Sequence, residues 1–122
     1  MNTLADLAAI TPQKIWDGVL GRVVYGEHVT LGVVELAPDT LIPEHRHENE
    51  QAGLLIAGSL TFRVGDEIRE FRAGGTWRVP PNVPHEVQAG GDGAIVVEAF
   101  APPRADWETL EYLAACQPIW PA

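Results

Sequence analysis

Residues 41–51 read LIPEHRHENEQ, and this stretch decides how the rest of the chain is understood. His45 and His47 stand two apart in an extended, Pro-flanked segment, so on a strand both imidazoles leave from one face. Two imidazoles projected to the same side make half of a metal site, and imidazole suits zinc, nickel, copper and iron. A His-x-His pair alone is more often two surface residues, and the surrounding frame has to discriminate. Three residues separate His47 from Gln51, and Gly58 lies beyond it. Residues 74–88, GGTWRVPPNVPHEVQ, then set Gly74, Pro80, Asn82 and His85 at fixed offsets.

These two blocks resemble the signature of the cupin family, Gly-x5-His-x-His-x3-4-Glu-x6-Gly and Gly-x5-Pro-x-Gly-x2-His-x3-Asn. They run from Asp39 to Ala89. Asp39 stands at the first Gly, Gln51 at the Glu, Asn82 at the second Gly and Ala89 at the final Asn. Asn82 is a mild change, because Asn is among the non-glycine residues that best tolerate a left-handed turn. Gln51 changes the chemistry. Glu50 is the rival ligand, but it shifts the side chain to the opposite face of the strand. The resemblance implies a double-stranded β-helix, the jelly-roll cupin barrel, with a metal held by His45, His47, Gln51 and His85.

The texture outside the two blocks agrees with an all-β fold. From Lys14 to Ala101 short β-runs such as VLGRVVY, VTLGVVEL, QAGLLIA, SLTFRV, HEVQA and AIVVEAFA alternate with breaks at Gly26, Pro38-Asp39, Gly58-Ser59, Gly65-Asp66, Gly74-Gly75 and Gly90–Gly93. Many short strands punctuated by Gly and Pro indicate a sandwich or barrel. Thr3 is positioned to cap a short N-terminal helix ending at Ile10. Asp106 is positioned to cap a C-terminal helix over 106–117, with Trp107, Leu110, Leu113 and Ala114 as its apolar stripe. The expected organisation is one domain over 1–122 with a barrel core at about 14–101. Leu54 and Ile56 fall on the outer face of their strand yet are apolar, which predicts a cover, either a terminal segment or a second copy in a homodimer.

The chain has 122 residues, a formal charge of −9 and a pI near 4.7. That charge excludes nucleic acid, since no basic patch is available to neutralise phosphates, and it disfavours an anionic membrane surface. No apolar run approaches the length of a membrane span and no secretory signal is evident, so a cytoplasmic location is expected. Cys116 has no partner for an internal disulfide and reads as a small buried residue of the last helix. His28, in YGEHVT, lies outside the frame and reads as a surface residue.

Three neutral imidazoles and a neutral amide leave a divalent transition metal (Ni, Zn, Fe or Mn) with its full double charge. This favours a Lewis acid over an ion that cycles with dioxygen. A second constellation lies in AIVVEAFAPPR, where Glu98 and Phe100 share a face and Arg104 follows a Pro-Pro turn. A carboxylate amid Val, Ala and Phe needs a partner or a function. One reading is a structural Glu98–Arg104 ion pair or an outward-facing Glu98; the other makes Glu98 a general acid/base and Arg104 an anion clamp. Arg78 is the other candidate clamp, but its parity turns it outward. HRHENEQ, VPPNVPH and the E-x-F-x3-R segment are similar to small cupins of the KdgF type, which have Asp-x-Phe-x3-Arg at the last place. That resemblance implies catalytic Glu98, Phe100 and Arg104, a small anionic sugar substrate, and ring opening of 4,5-unsaturated monouronates to linear keto-deoxyuronates. Two alternatives stay open, a non-catalytic metal-binding cupin for a sugar or acid and a metal-dependent dioxygenase on the same frame.

Overall fold

The structure is a computed structural model that describes residues 3–121. Its strands are β1 (Gln13–Trp16), β2 (Val19–Tyr25), β3 (Thr30–Leu36), β4 (Leu41–His45), β5 (Glu50–Val64), β6 (Glu67–Arg72), β7 (Thr76–Val79) and β8 (His85–Ala101). All pairings are antiparallel. β5 and β8 are long because each serves two sheets. The first half of β5 pairs with β7 and with the second half of β8, which continues through β3 and β2 to β1. The second half of β5 pairs with β6 and with the first half of β8, whose other neighbour is β4. Two sheets that share two bent strands form the jelly-roll sandwich expected from the sequence.

The bend falls where side chains would obstruct it. Gly58 has φ 83°, and a Cβ there would lie 2.1 Å from the Gly93 carbonyl oxygen. The β5–β8 register slips on either side of it, between Leu55 and Ala57 and between Gly58 and Leu60. A bulge of this kind turns a strand from one sheet into the next. QAGLLIA and SLTFRV, which read as two strands, are therefore one strand with a corner, and HEVQA and AIVVEAFA are joined in the same way. Val34, Leu36, Leu55, Leu60, Phe62, Val79, Val87 and Val96 fill the space between the sheets. Asp39 and Asn82, which replace glycines of the family pattern, have φ 61° and 63°. The tolerance expected of Asn82 is used, and Asp39 shares it.

Both terminal helices are corrections. The N-terminal one is a single 3-10 turn, Leu7–Ala9, preceded by Asp6 with no side-chain cap, and Thr3 takes no part. The C-terminal one is a 3-10 turn, Ala105–Thr109. The Gln13 amide donates to the carbonyls of Trp107 and Leu110, and Tyr112 bridges to Gln13 beside β1. Lys14 N–H donates to Glu111 O and Leu113 N–H to Pro12 O, so tertiary β-pairing takes the backbone groups a helix needs. The Asp106 carboxylate, expected as a cap, instead binds Arg104.

The chain then crosses the outer face of β2 and β3. Buried Arg22 donates to Glu35, to the Cys116 carbonyl at 2.7 Å and to Cys116 Sγ at 3.3 Å, while Glu35 accepts the Ile119 N–H. Cys116 is thus exposed on an extended strap, not buried in a helix. Among the described residues no helix is long and apolar enough to cross a membrane.

Candidate metal centre

His45 and His85 are direct register partners across β4 and β8, which places both imidazoles on one face with ring centroids 4.2 Å apart. His47 arrives differently. β4 ends at His45, so His47 lies in the following turn and strand parity does not orient it. Its ring is fixed by an Nδ1 contact of 2.9 Å to the Asn49 carbonyl. Nδ1 of His45 contacts the Pro43 carbonyl at 2.8 Å and Nδ1 of His85 the Val83 carbonyl at 2.9 Å. A carbonyl only accepts, so each Nδ1 carries the proton and each Nε2 keeps its lone pair.

The three histidines offer ligand atoms within 4.8 Å of one another. Gln51, at the start of β5, adds a fourth acceptor. Its Nε2 donates to Glu98 Oε1 at 2.7 Å, which leaves its Oε1 3.2 Å from Nε2 of His47. Nε2 of His85 is buried with no hydrogen-bond partner. A buried polar atom left unpaired costs about 1–3 kcal/mol. Four lone-pair donors turned toward one another satisfy none of their needs except around a cation, so the donor set fits a divalent metal. Backbone carbonyls behind each imidazole are the usual outer support of such ligands.

Burial keeps the imidazoles neutral. It holds His45 and His47 below the usual value, with the Arg104 charge adding to the effect on His47, and pushes His85 down to about 4. Glu98 moves the other way. Burial raises its carboxyl to about 6, against the opposing pull of the Gln51 and Trp77 hydrogen bonds.

Glu98 owes its position to glycines on either side. Across the first sheet Trp77, Gly53, Glu98, Gly32 and Val23 stand in one row. A Cβ at Gly53 would lie 2.2 Å from the Trp77 indole nitrogen, and one at Gly32 would lie 3.3 Å from the Trp107 ring. The missing side chains leave room for one indole over each glycine, and Trp77 Nε1 donates to Glu98 Oε1 at 3.2 Å.

The Glu98–Arg104 ion pair does not form. Arg104 binds Asp106 with two hydrogen bonds, Nε at 3.0 Å and Nη2 at 2.9 Å, and its guanidinium lies over Phe100 at 4.9 Å and Trp107 at 4.5 Å. Phe100 is buried, edge-on to His47, and acts as a wall. Asn49 donates to the carbonyls of Pro102 and Pro103, tying the His47 turn to the segment that carries Arg104. A cavity of about 40 Å³ is lined by His45, Gln51, His85, Glu98 and Arg104, with Trp16 partly exposed beside His45. His28 is on the surface and Arg78 points outward to Glu50, as expected. Trp16, Trp77 and Asn49 carry no site motif in the sequence, and Asp106 and Trp107 read there only as parts of a helix; the folded structure is what brings them to the site.

Residues 32–100 match the Cupin domain family. The chain is a cupin. It is 35% identical over 103 residues to H2HPP isomerase of Bacillus subtilis, covering 79% of this chain but spanning only 43% of that protein's length. It is 23% identical over 97 residues to pectin degradation protein KdgF of Dickeya dadantii (strain 3937), covering 78% of this chain and 88% of the relative. The structure of KdgF from Halomonas sp. superposes with a TM-score of 0.79 at 18% identity, over 87% of this chain and 98% of that one. The likeness to KdgF thus extends over most of both chains.

The shifted imidazoles give a test on metal-free protein. In unfolded chain His85 takes its proton near 6.5, whereas in the fold it does so near 4. Between those values the unfolded state holds the extra proton, so this group's contribution makes metal-free protein less stable as pH falls through that window. NMR of chelator-treated protein should show the His85 imidazole titrating below pH 5. A midpoint above 6 would contradict the buried, neutral site.

Proposed function

We propose that this cupin is a metal-dependent isomerase of small sugar acids that opens the ring of 4,5-unsaturated monouronates to linear keto-deoxyuronates. The observation that carries the reading is the half-buried carboxyl of Glu98, hydrogen-bonded to Gln51 and lining a cavity with His45 and His85, two of the three clustered imidazoles. The likeness to a pectin degradation protein supports the substrate class.

His45, His47, Gln51 and His85 would hold a divalent transition metal (Ni, Zn, Fe or Mn), which when bound supplies a Lewis acid that polarises substrate oxygens. Glu98 moves the protons. Ring opening removes the proton of the anomeric hydroxyl, breaks the bond from the anomeric carbon to the ring oxygen, and returns a proton to the enol carbon. A carboxyl raised to about 6 can both take and return that proton near neutrality. Its Oε1 is occupied by Gln51 and Trp77, so Oε2 is the oxygen left for this work.

Arg104 would bind the uronate carboxylate, which overcomes the −9 charge of the chain. Asp106 holds Nε and Nη2, leaving Nη1 as the free nitrogen, and Phe100 with Trp107 keeps the guanidinium flat. A second reading, isomerisation of a less polar small acid, is favoured by the apolar lining of Ile15, Val19, Val34, Ile42 and Val87. The 35% identity to an isomerase favours it too.

Metal-loaded protein incubated with unsaturated monouronate should remove the ultraviolet absorbance of its conjugated double bond. Glu98→Gln should lower kcat by about 10²-fold with a modest change in KM. Arg104→Ala should mainly raise KM, by roughly 10- to 100-fold. No turnover by the unmutated, metal-loaded protein would contradict the assignment.

The expected homodimer is retained as a proposal. Val24, Leu31 and Leu54 remain exposed on the outer face of the first sheet, beyond the part crossed by the C-terminal strap. A second copy covering that strip should give a dimer mass by light scattering at micromolar concentration, and a monomer would dismiss it.

A further inference from the structure

The unusual member of the donor set is Gln51, and the structure holds an explanation for it in Glu98. A carboxylate only accepts hydrogen bonds, so the Gln51 side chain must turn its NH₂ toward Glu98. The contacts have that sense: Gln51 Nε2 lies 2.7 Å from Glu98 Oε1, and Gln51 Oε1 faces Nε2 of His47 at 3.2 Å. Trp77 donates to the same Glu98 oxygen at 3.2 Å, and its indole lies over Gly53, so the acceptor is fixed from the far side. With a carboxylate in place of the Gln51 amide, two carboxylates would meet where the present donor and acceptor are 2.7 Å apart. Like charges that close must share a proton or separate.

We propose that Gln51 and Glu98 are a matched donor–acceptor pair, in which Glu98, anchored by Trp77, is the positioning residue that turns the Gln51 carbonyl oxygen toward the metal. Glu98 is then the reason that an amide stands where the family pattern has a carboxylate. This rests on the reading of Gln51 as a ligand. It assigns Glu98 a duty separate from proton transfer, one that is measurable without substrate.

The pair predicts that the two residues can be exchanged. In the double variant Q51E/E98Q the relocated carboxylate would face the imidazoles with one oxygen and accept from the relocated amide with the other. Four proteins (unmutated, Q51E, E98Q and the exchange) would be compared at pH 8 for Co²⁺ affinity by competition with a chromophoric chelator, and for the visible spectrum of bound Co²⁺. With Gln51 in place, E98Q should weaken Co²⁺ binding by up to about tenfold, because a neutral acceptor holds the amide less firmly. In the Q51E background, E98Q should strengthen binding by about tenfold or more. The exchange should show a Co²⁺ spectrum of the same coordination number as the unmutated protein.

An E98Q effect of the same sign in both backgrounds overturns the proposal. If Q51E does not fold, recovery of a folded, Co²⁺-binding protein in the exchange supports it. An exchange that fails to fold or to bind Co²⁺ overturns it. If the unmutated protein binds no Co²⁺, the metal reading itself fails, which is distinct from a metal-binding protein whose E98Q effect does not change sign.

Discussion

The site depends on one constraint: four lone-pair donors turned toward one another, two of them, on Gln51 and His85, buried and two, on His45 and His47, half-buried. Nothing in the cluster itself can satisfy them, since each imidazole proton is committed to a backbone carbonyl and the Gln51 amide protons face Glu98. The fold tolerates the arrangement because it is built from both sheets at once. His45 and His85 come from the β4–β8 edge of one sheet, and Gln51 and Glu98 from the β5–β8 seam of the other. The corner glycines that bend β5 and β8 therefore matter to the chemistry as well as to the architecture.

Charge follows from the same arrangement. The sequence suggests a metal with its double charge undiminished, because all four donors are neutral. The structure places a carboxylate one hydrogen bond behind the amide, so negative charge is supplied without occupying a coordination position. A nearby divalent cation favours the ionised carboxylate and works against the burial that raises Glu98. The carboxyl sits where occupancy of the site and its own protonation are coupled.

How much is readable in the chain depends on how local each signal is. His45, His47, Gln51 and His85 stand at fixed offsets around turns, so their spacing carries the site, and Asn82 can be read as a left-handed turn residue. The single-strand picture of LIPEHRH is incomplete, since His47 is oriented by the Asn49 carbonyl and not by the pleat. The helix expected over 106–117 has caps and an apolar stripe, but β1 offers its edge to residues 111–113 and the pairing wins. The row of Trp77, Gly53, Glu98 and Gly32 brings together four strands distant in sequence, and nothing local in the chain announces it. Arg104 reads in the sequence as either an ion-pair partner of Glu98 or an anion clamp, but its partner in the structure is Asp106, because the carboxylate that reads as a helix cap is the nearer one once the helix does not form.

The central claim is that the four acceptors enclose a metal ion. X-ray absorption at the metal edge, on protein purified without chelators and loaded to saturation, tests it most directly. The account predicts one transition-metal ion per chain, with three imidazole nitrogens and an oxygen in its inner shell, and loss of one imidazole in His85→Ala. A protein that takes up no transition metal, or one whose inner shell lacks imidazole and is unchanged in His85→Ala, would contradict it.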